Sequence, residues 1–337
     1  EFEGVSLGLQ SMKGVGRLIE VYGLKGDKLS EPNPSDYEDN KIDKHSDDEV
    51  PSIAIIPFRN KGKEEDAFYA YGISADLITD CSSAGLIRVE SLDRIEIIEN
   101  YDKLDIKELA SKLSVRYIAI GALWKMDELF QLSIELYDTK ESKVIWSDRW
   151  EENWENLSLI KRNLSDGLLK ALDLKPKMEN MFKTVNNQAY EYYLQGKYKM
   201  IHRKNMEDIS MAEGLFKKAI ELDDNLVEAR QFLGFIYLNK EDFDTAFVIY
   251  STILKQSEEI GDKKGIGIGL LYLGAVYVSK GDYDKALEYA SRALVIQEEI
   301  DNMDGVGICL GGIGFGYLCK GEYNKALEYS KRSIEIK

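Results

Sequence analysis

Few residues in this chain have the types that catalysis or metal binding needs. It holds two histidines, His45 and His202, and three cysteines, Cys81, Cys309 and Cys319. That supply excludes a disulfide framework and a zinc finger, and it leaves a histidine-based triad almost no candidates. Asp76 and Asp80, with Glu64, Glu65 and Asp66 near them in sequence, have the chemistry of a metal or acid–base cluster. They read more simply as solvated helix and loop charges. His202, expected in the stretched loop of the first helical unit, has no visible acid or nucleophile partner and receives no role. Cys309 and Cys319, ten residues apart on one helix, read as small core residues. No catalytic, cofactor-binding or metal-binding residue is assigned, and no cofactor is expected.

Two glycine runs, Gly265-Ile266-Gly267-Ile268-Gly269 and Gly311-Gly312-Ile313-Gly314-Phe315-Gly316, invite comparison with a nucleotide-binding loop. Such a loop follows a strand and opens a helix inside a βαβ unit. Both runs instead fall in the middle of helical patterns, in register with each other, and so read as packing positions. Lys240, Lys280 and Lys320 recur 40 residues apart, each just before a turn, where a cation complements a helix C-terminus.

The elements that position these residues follow from composition and periodicity. The chain has 337 residues, 44% of them apolar and 31% charged, enough for two or three globular domains. Its 44 basic and 60 acidic residues give a net charge of −16, which disfavours nucleic acid as a partner. No apolar run approaches the ~20 residues of a membrane span, and no signal peptide is visible, so a cytoplasmic protein is expected. The opening Glu1-Phe2 reads as the start of a piece of something longer.

Residues 1–24 predict two short strands around a turn at Met12-Lys13-Gly14. Residues 25–50 carry four lysines and nine acids with Pro32 and Pro34, a solvated linker. Residues 51–176 alternate strand and helix signals. These are strands over 52–58, 86–89, 117–124, 129–137 and 144–150, and helices over 69–83, from the Asp105 cap to Leu113, and over 157–172. The stretch Asp138-Thr139-Lys140-Glu141-Ser142 is turn chemistry, so the last two strands should form a hairpin.

From Asn187 to Lys337 the pattern is helical and repeats every 40 residues. Leu233-Gly234, Leu273-Gly274 and Ile313-Gly314 share one column, Tyr237, Tyr277 and Tyr317 another, and Ala246, Ala286 and Ala326 a third. Each unit is a pair of antiparallel helices, with Gly234 and Ala246 where the two cross. A looser first copy carries Ala212, Phe216 and Ala219, its inter-helix segment stretched by Arg203–Asp208.

These columns resemble the tetratricopeptide repeat (TPR), with helices longer than the common form. The segments SIAIIPF at 52–58, YGISADLIT at 71–79, DIKELASKLSVRYIAIGAL at 105–123 and LYDTKESKVIWSDRW at 136–150 resemble the TolB amino-terminal-like domain. That resemblance implies an α/β sandwich used for sensing or assembly, with no catalytic residues to carry over. Gly8, Met12-Lys13-Gly14-Val15 and Ile19-Glu20-Val21-Tyr22 resemble the end of a class III adenylate or guanylate cyclase domain. The family's metal-binding aspartates and purine-selecting residues lie upstream of such a tail, so the chain as given should not cyclise a nucleotide.

The fold class expected is therefore an α/β TolB-like domain followed by an all-α TPR solenoid. The function expected is a non-catalytic regulatory and protein-binding region of a cyclase-like signalling protein. The alternative is a TPR adaptor arm behind a DNA-binding regulator or a kinase. In a TPR array the first helix of each unit lines the concave face. The Ala246, Ala286 and Ala326 register then places Glu228, Gln231, Phe235 and Leu238, then Ile268, Leu271, Ala275 and Val278, then Ile308, Gly311, Phe315 and Leu318 along a groove. Gln231, Phe235, Leu238, Leu271, Val278, Phe315 and Leu318 are its candidate partner-binding residues. The groove begins polar and becomes apolar, which suits a protein or peptide ligand or self-association, with no nucleic acid or membrane partner.

Overall fold

The computed structural model describes residues 3–10, 19–25, 51–83, 87–127, 129–174, 186–300 and 302–336. The expected turn at Met12-Lys13-Gly14 and the expected linker from residue 26 to 50 lie outside them. The chain divides into two units at Glu49/Val50. In the first, strands β1 (Glu3–Gln10) and β2 (Ile19–Lys25) form an antiparallel hairpin, paired from Glu3↔Lys25 to Gln10↔Ile19 with a register shift between Ser6 and Leu9.

The second unit opens with a mixed sheet. Its elements are β3 (Ser52–Ile55), β4 (Arg59–Asn60), α1 (Ala67–Ser83), β5 (Arg88–Val89), α2 (Leu92–Glu96), α3 (Ile106–Leu113), β6 (Tyr117–Met126), β7 (Leu129–Asp138), β8 (Lys143–Asn153) and α4 (Leu157–Ala171). The strand order is β5-β3-β6-β7-β8, with β4 also paired to β6. Strand β3 runs parallel to β5 and β6, whereas β6, β7 and β8 form an antiparallel meander. Every residue of β3 is buried, as a strand covered on both faces must be. Ile53 and Ile55 face a core shared with α1 and α4, and Ala54 and Ile56 face one built on α2 and α3.

Two local causes shape this sheet. The strand expected over 52–58 ends at Ile55, and pairing with β6 resumes only at Arg59. Pro57 has no N–H to give the ladder, and the Phe58 N–H turns to the Ser74 hydroxyl at 3.3 Å. At the β7–β8 turn, the Asp138 carboxylate accepts from the N–H groups of Lys140 (2.9 Å) and Glu141 (3.1 Å) and pairs with Arg116 at 2.6 Å. The hairpin predicted from that turn chemistry is present.

Among the described residues eight helices follow: α5 (Asn187–Ile201), α6 (Met206–Leu222), α7 (Val227–Asn239), α8 (Phe243–Ile260), α9 (Lys263–Ser279), α10 (Tyr283–Glu299), α11 (Met303–Cys319) and α12 (Tyr323–Ile336). They pair as the 40-residue period requires. Asp242, Asp262, Asp282 and Asn302 cap successive helices through their side chains. The glycine runs are packing sites. A Cβ on Gly269 would stand 2.9 Å from the Leu254 backbone, and one on Gly267 would stand 2.3 Å from Gln297. Cys309 is fully buried, as expected of a core residue, whereas Cys319 is only partly covered.

The lysine column does more than face helix ends. Lys240, Lys280 and Lys320 do cap α7, α9 and α11, but each ammonium also reaches an acid on the preceding repeat: Glu213 at 2.5 Å, Asp244 at 2.6 Å and Asp284 at 2.5 Å. The column therefore ties neighbouring repeats together. Among the described residues no helix is long and apolar enough to cross a membrane.

Candidate functional site

The predicted groove residues lie on the first helices α7, α9 and α11. A helical repeat of 3.6 residues brings positions three and four apart onto one face, and close repeat packing then lines these faces up. Between α9 and α11 lies a cavity of about 440 Å³, lined by Leu271, Ala275, Val278, Ile308, Gly311 and Phe315 among others. Its floor is made of small residues, Gly274, Ala286, Ala290 and Gly312, which leave the volume unfilled. Phe315 and Ile308 are 53% and 55% exposed, and Leu318 at the end of the same face is 49% exposed.

Toward α7 the groove changes character. Phe235 is exposed, Gln231 and Leu238 are half-buried, and Glu228 is open to solvent. The Gln231 amide donates to the Tyr272 hydroxyl at 3.2 Å, and the Tyr272 ring stacks on Tyr250 with centroids 4.8 Å apart. Gln231 is thus partly committed to holding α7 against α9. Tyr272, Gly274, Ser279, Ala286 and Ala290 line the cavity but were not placed in the groove from sequence. Their positions lie at the edge of the groove face or on the second helix, where a one-helix periodicity does not look.

Two expectations about the acidic residues fail. Asp66 and Asp76 are buried, not solvated. Asp66 pairs with Lys125 at 3.4 Å. Asp76, on α1, accepts from the Lys197 ammonium at 2.8 Å and the Tyr193 hydroxyl at 3.3 Å, and also from the Tyr190 hydroxyl, all three on α5. Burial, reinforced by the Asp76 charge, pushes the hydroxyls of Tyr190 and Tyr193 far above the usual phenol range, so both stay protonated donors. Burying a carboxylate is costly unless its lone pairs are met, and these three donors meet them. The cluster joins the α/β domain to the helical array and gathers no metal ligands. Among the described residues no group of three His, Cys, Asp or Glu side chains is placed to hold a metal ion. His202, at the C-terminal end of α5, packs its ring 4.8 Å from Tyr71 and 4.2 Å from Tyr198.

Two protein families match parts of the chain. Tetratricopeptide repeats match residues 227–294 and 266–337. The second domain of HilA/YgeH-like transcriptional regulators matches residues 48–166. Neither covers the hairpin of residues 3–25. No protein of curated function matches the chain. Among solved structures, MamA is 23% identical over 53% of this chain and 94% of its own, with a TM-score of 0.34. The Rap protein complexed with competence and sporulation factor is 16% identical over 54% of this chain and 62% of its own, with a TM-score of 0.33. TolB from Acinetobacter baumannii is 17% identical over 36% of this chain but only 28% of its own, with a TM-score of 0.27. Scores this low describe parts, so the architecture rests on the topology itself. It is an α/β domain with a mixed sheet, followed by an array of tetratricopeptide repeats, the kind of repeat that serves protein–protein interaction.

Proposed function

We propose that this chain is a non-catalytic regulatory and protein-binding region of a signal-transduction protein, with the groove at α9 and α11 receiving an apolar helix or peptide edge. The observation that carries it is the cavity of about 440 Å³ flanked by exposed Phe315 and Ile308. An open apolar recess of that size takes one or two large side chains, and such anchors dominate helix-in-groove recognition. The α/β domain then relays or senses. The test is Phe315→Glu, read by capture of partners, by sedimentation for self-association, and by far-UV circular dichroism. Weakened binding with an intact helical signal is the expected result. Unchanged binding with an intact signal refutes the groove, and loss of the helical signal places Phe315 in the core.

The output domain admits two readings. The sequence Lys13-Gly14-Val15 and the Ile19–Tyr22 strand paired with β1 support a class III cyclase-like head upstream. The match of residues 48–166 to the second domain of a transcriptional regulator supports the alternative, an adaptor arm behind a DNA-binding head. Reading the coding sequence ahead of Glu1 separates them. Two metal-binding aspartates in the cyclase pattern favour the first, and a basic recognition helix favours the second. Under either reading the purified chain shows no turnover of ATP or GTP with magnesium or manganese, and measurable product would overturn the assignment.

A further inference from the structure

The first helices of the repeats align on the glycine at the crossing with their partner helix. An added Cβ on Gly234 of α7 would stand 2.5 Å from the Tyr250 ring, and one on Gly196 of α5 would stand 2.7 Å from the Phe216 ring. In that register the groove positions Glu228, Gln231, Phe235 and Leu238 of α7 correspond to Tyr190, Tyr193, Lys197 and Met200 of α5. All four residues on α5 are buried, although the matching positions on α7 are open or half open.

Helix α1 covers Tyr190, Tyr193 and Lys197. Its Asp76 is held by Lys197, Tyr190 and Tyr193. One turn earlier Gly72 brings the α1 backbone against Leu194, where an added Cβ would stand 2.5 Å from Cδ2. The Tyr71 ring meets Tyr198 at 5.7 Å. Helix α1 also contacts α11. One helix thus touches the first helices of both the first and the fourth pairs. The contact on α5 therefore has the geometry of a helix lying in a repeat groove, with polar recognition at its centre.

We propose that α1 is a resident ligand of the array: the first repeat recognises a carboxylate through Lys197, Tyr190 and Tyr193, and Asp76 supplies it. The groove is thereby occupied at its amino-terminal end by the chain's own α/β domain, which also touches α11, and an external partner is confined to what α7, α9 and α11 leave open. Tyr69, Ile73 and Leu77 of α1 share one buried cluster with Ile53 and Ile55 of the sheet and with Tyr190, Tyr193 and Leu194 of α5. A shift of α1 in the groove is therefore felt directly by β3 and β6. This holds whatever occupies the open part of the groove.

The test uses the full chain with Asp76→Asn, Lys197→Met and Lys197→Arg, read by amide hydrogen exchange resolved by segment. Leaving one partner of a buried ion pair alone opens the contact by a factor on the order of a hundred. Asp76→Asn and Lys197→Met are each expected to speed exchange in α1 and α5 by about that factor, with β7, β8 and α8–α10 nearly unchanged. Lys197→Arg, which keeps the charge, retains protection. Labelling of Cys81, fully buried on α1, should accelerate in the same two variants in a Cys319→Ser background. Uniform acceleration across residues 50–337 would make the pair an ordinary part of one core and overturn the proposal. So would unchanged exchange in the two charge-removing variants, or Lys197→Arg opening as far as Lys197→Met.

Discussion

The joint between the first two repeats should carry a pH signature. Glu213 on α6 accepts from Lys217 (2.8 Å), the Tyr237 hydroxyl (2.9 Å) and Lys240 (2.5 Å), the last two on α7. Burial by itself would raise its pKa, but hydrogen bonds from the two ammonium groups and the phenol outweigh that and hold it at about 2, against an ordinary 4.5. A carboxyl depressed that far stabilises the fold by about 3 kcal/mol at neutral pH, or about 2 kcal/mol once solvent screening of the partly exposed lysines is allowed for. The contribution is complete above pH 4.5, the unfolded value, and is lost as pH falls through the folded value near 2. Glu213→Gln removes the charge and keeps the shape. Urea unfolding of both proteins at pH 7, 4.5 and 3 should show a gap of about 2 kcal/mol at the first two, falling to about half at pH 3. A gap that is constant down to pH 3, or one that closes above pH 5, would refute the assignment of the linkage to this carboxylate.

Two further substitutions separate the forces along the array. Gly269→Ala should destabilise the chain by roughly 1–3 kcal/mol in thermal unfolding, because its Cβ would meet the Leu254 backbone at 2.9 Å, an atom set that cannot swing away. Gly214→Ala, on a helix face with nothing within 4 Å, should instead stabilise by roughly 0.5–1 kcal/mol; equal signs for the two would mean that helix propensity, not packing, governs both. Lys320→Ala should leave the midpoint of a denaturant titration nearly unmoved, since its partner Asp284 is 85% exposed. A clear fall in that midpoint would show that the inter-repeat lysines act together as one network.

The parts of the fold that rest on local rules were readable from the residues. The array announces itself because each copy must bury the same columns, so Gly234, Gly274 and Gly314 recur with Ala246, Ala286 and Ala326. The β7–β8 hairpin follows from Asp138 and its turn, and α3 from the Asp105 cap, whose carboxylate accepts from the Lys107 N–H at 3.0 Å. The order β5-β3-β6 was not readable. Parallel pairing joins strands far apart in sequence, and no residue of β3 or β5 records its neighbour. The early end of β3 had a visible cause in Pro57, which the unbroken apolar run over 52–58 obscured.

Asp76 shows why the site was only half legible. The stretch from Ala67 to Ala75 holds no charged residue, and a helix apolar on all sides is a buried helix. An acid that directly follows that stretch then has to be paired, so burial of Asp76 followed from its neighbours even though its partner did not. That partner sits 121 residues away, on a helix whose groove register is hidden by the stretched segment before α6. The polar-to-apolar gradient along the groove acquires a different origin from this. A single external ligand would explain Glu228 and Gln231 as contacts for its polar end. With Asp76 already held by the first repeat, Glu228 instead sits close enough to raise the Tyr190 and Tyr193 hydroxyls electrostatically. Polar residues of α7 then belong to the surroundings of the joint, and the apolar residues of α9 and α11 to whatever binds beyond it. If α1 is the resident ligand proposed above, the gradient marks the boundary between its place and that of any external partner.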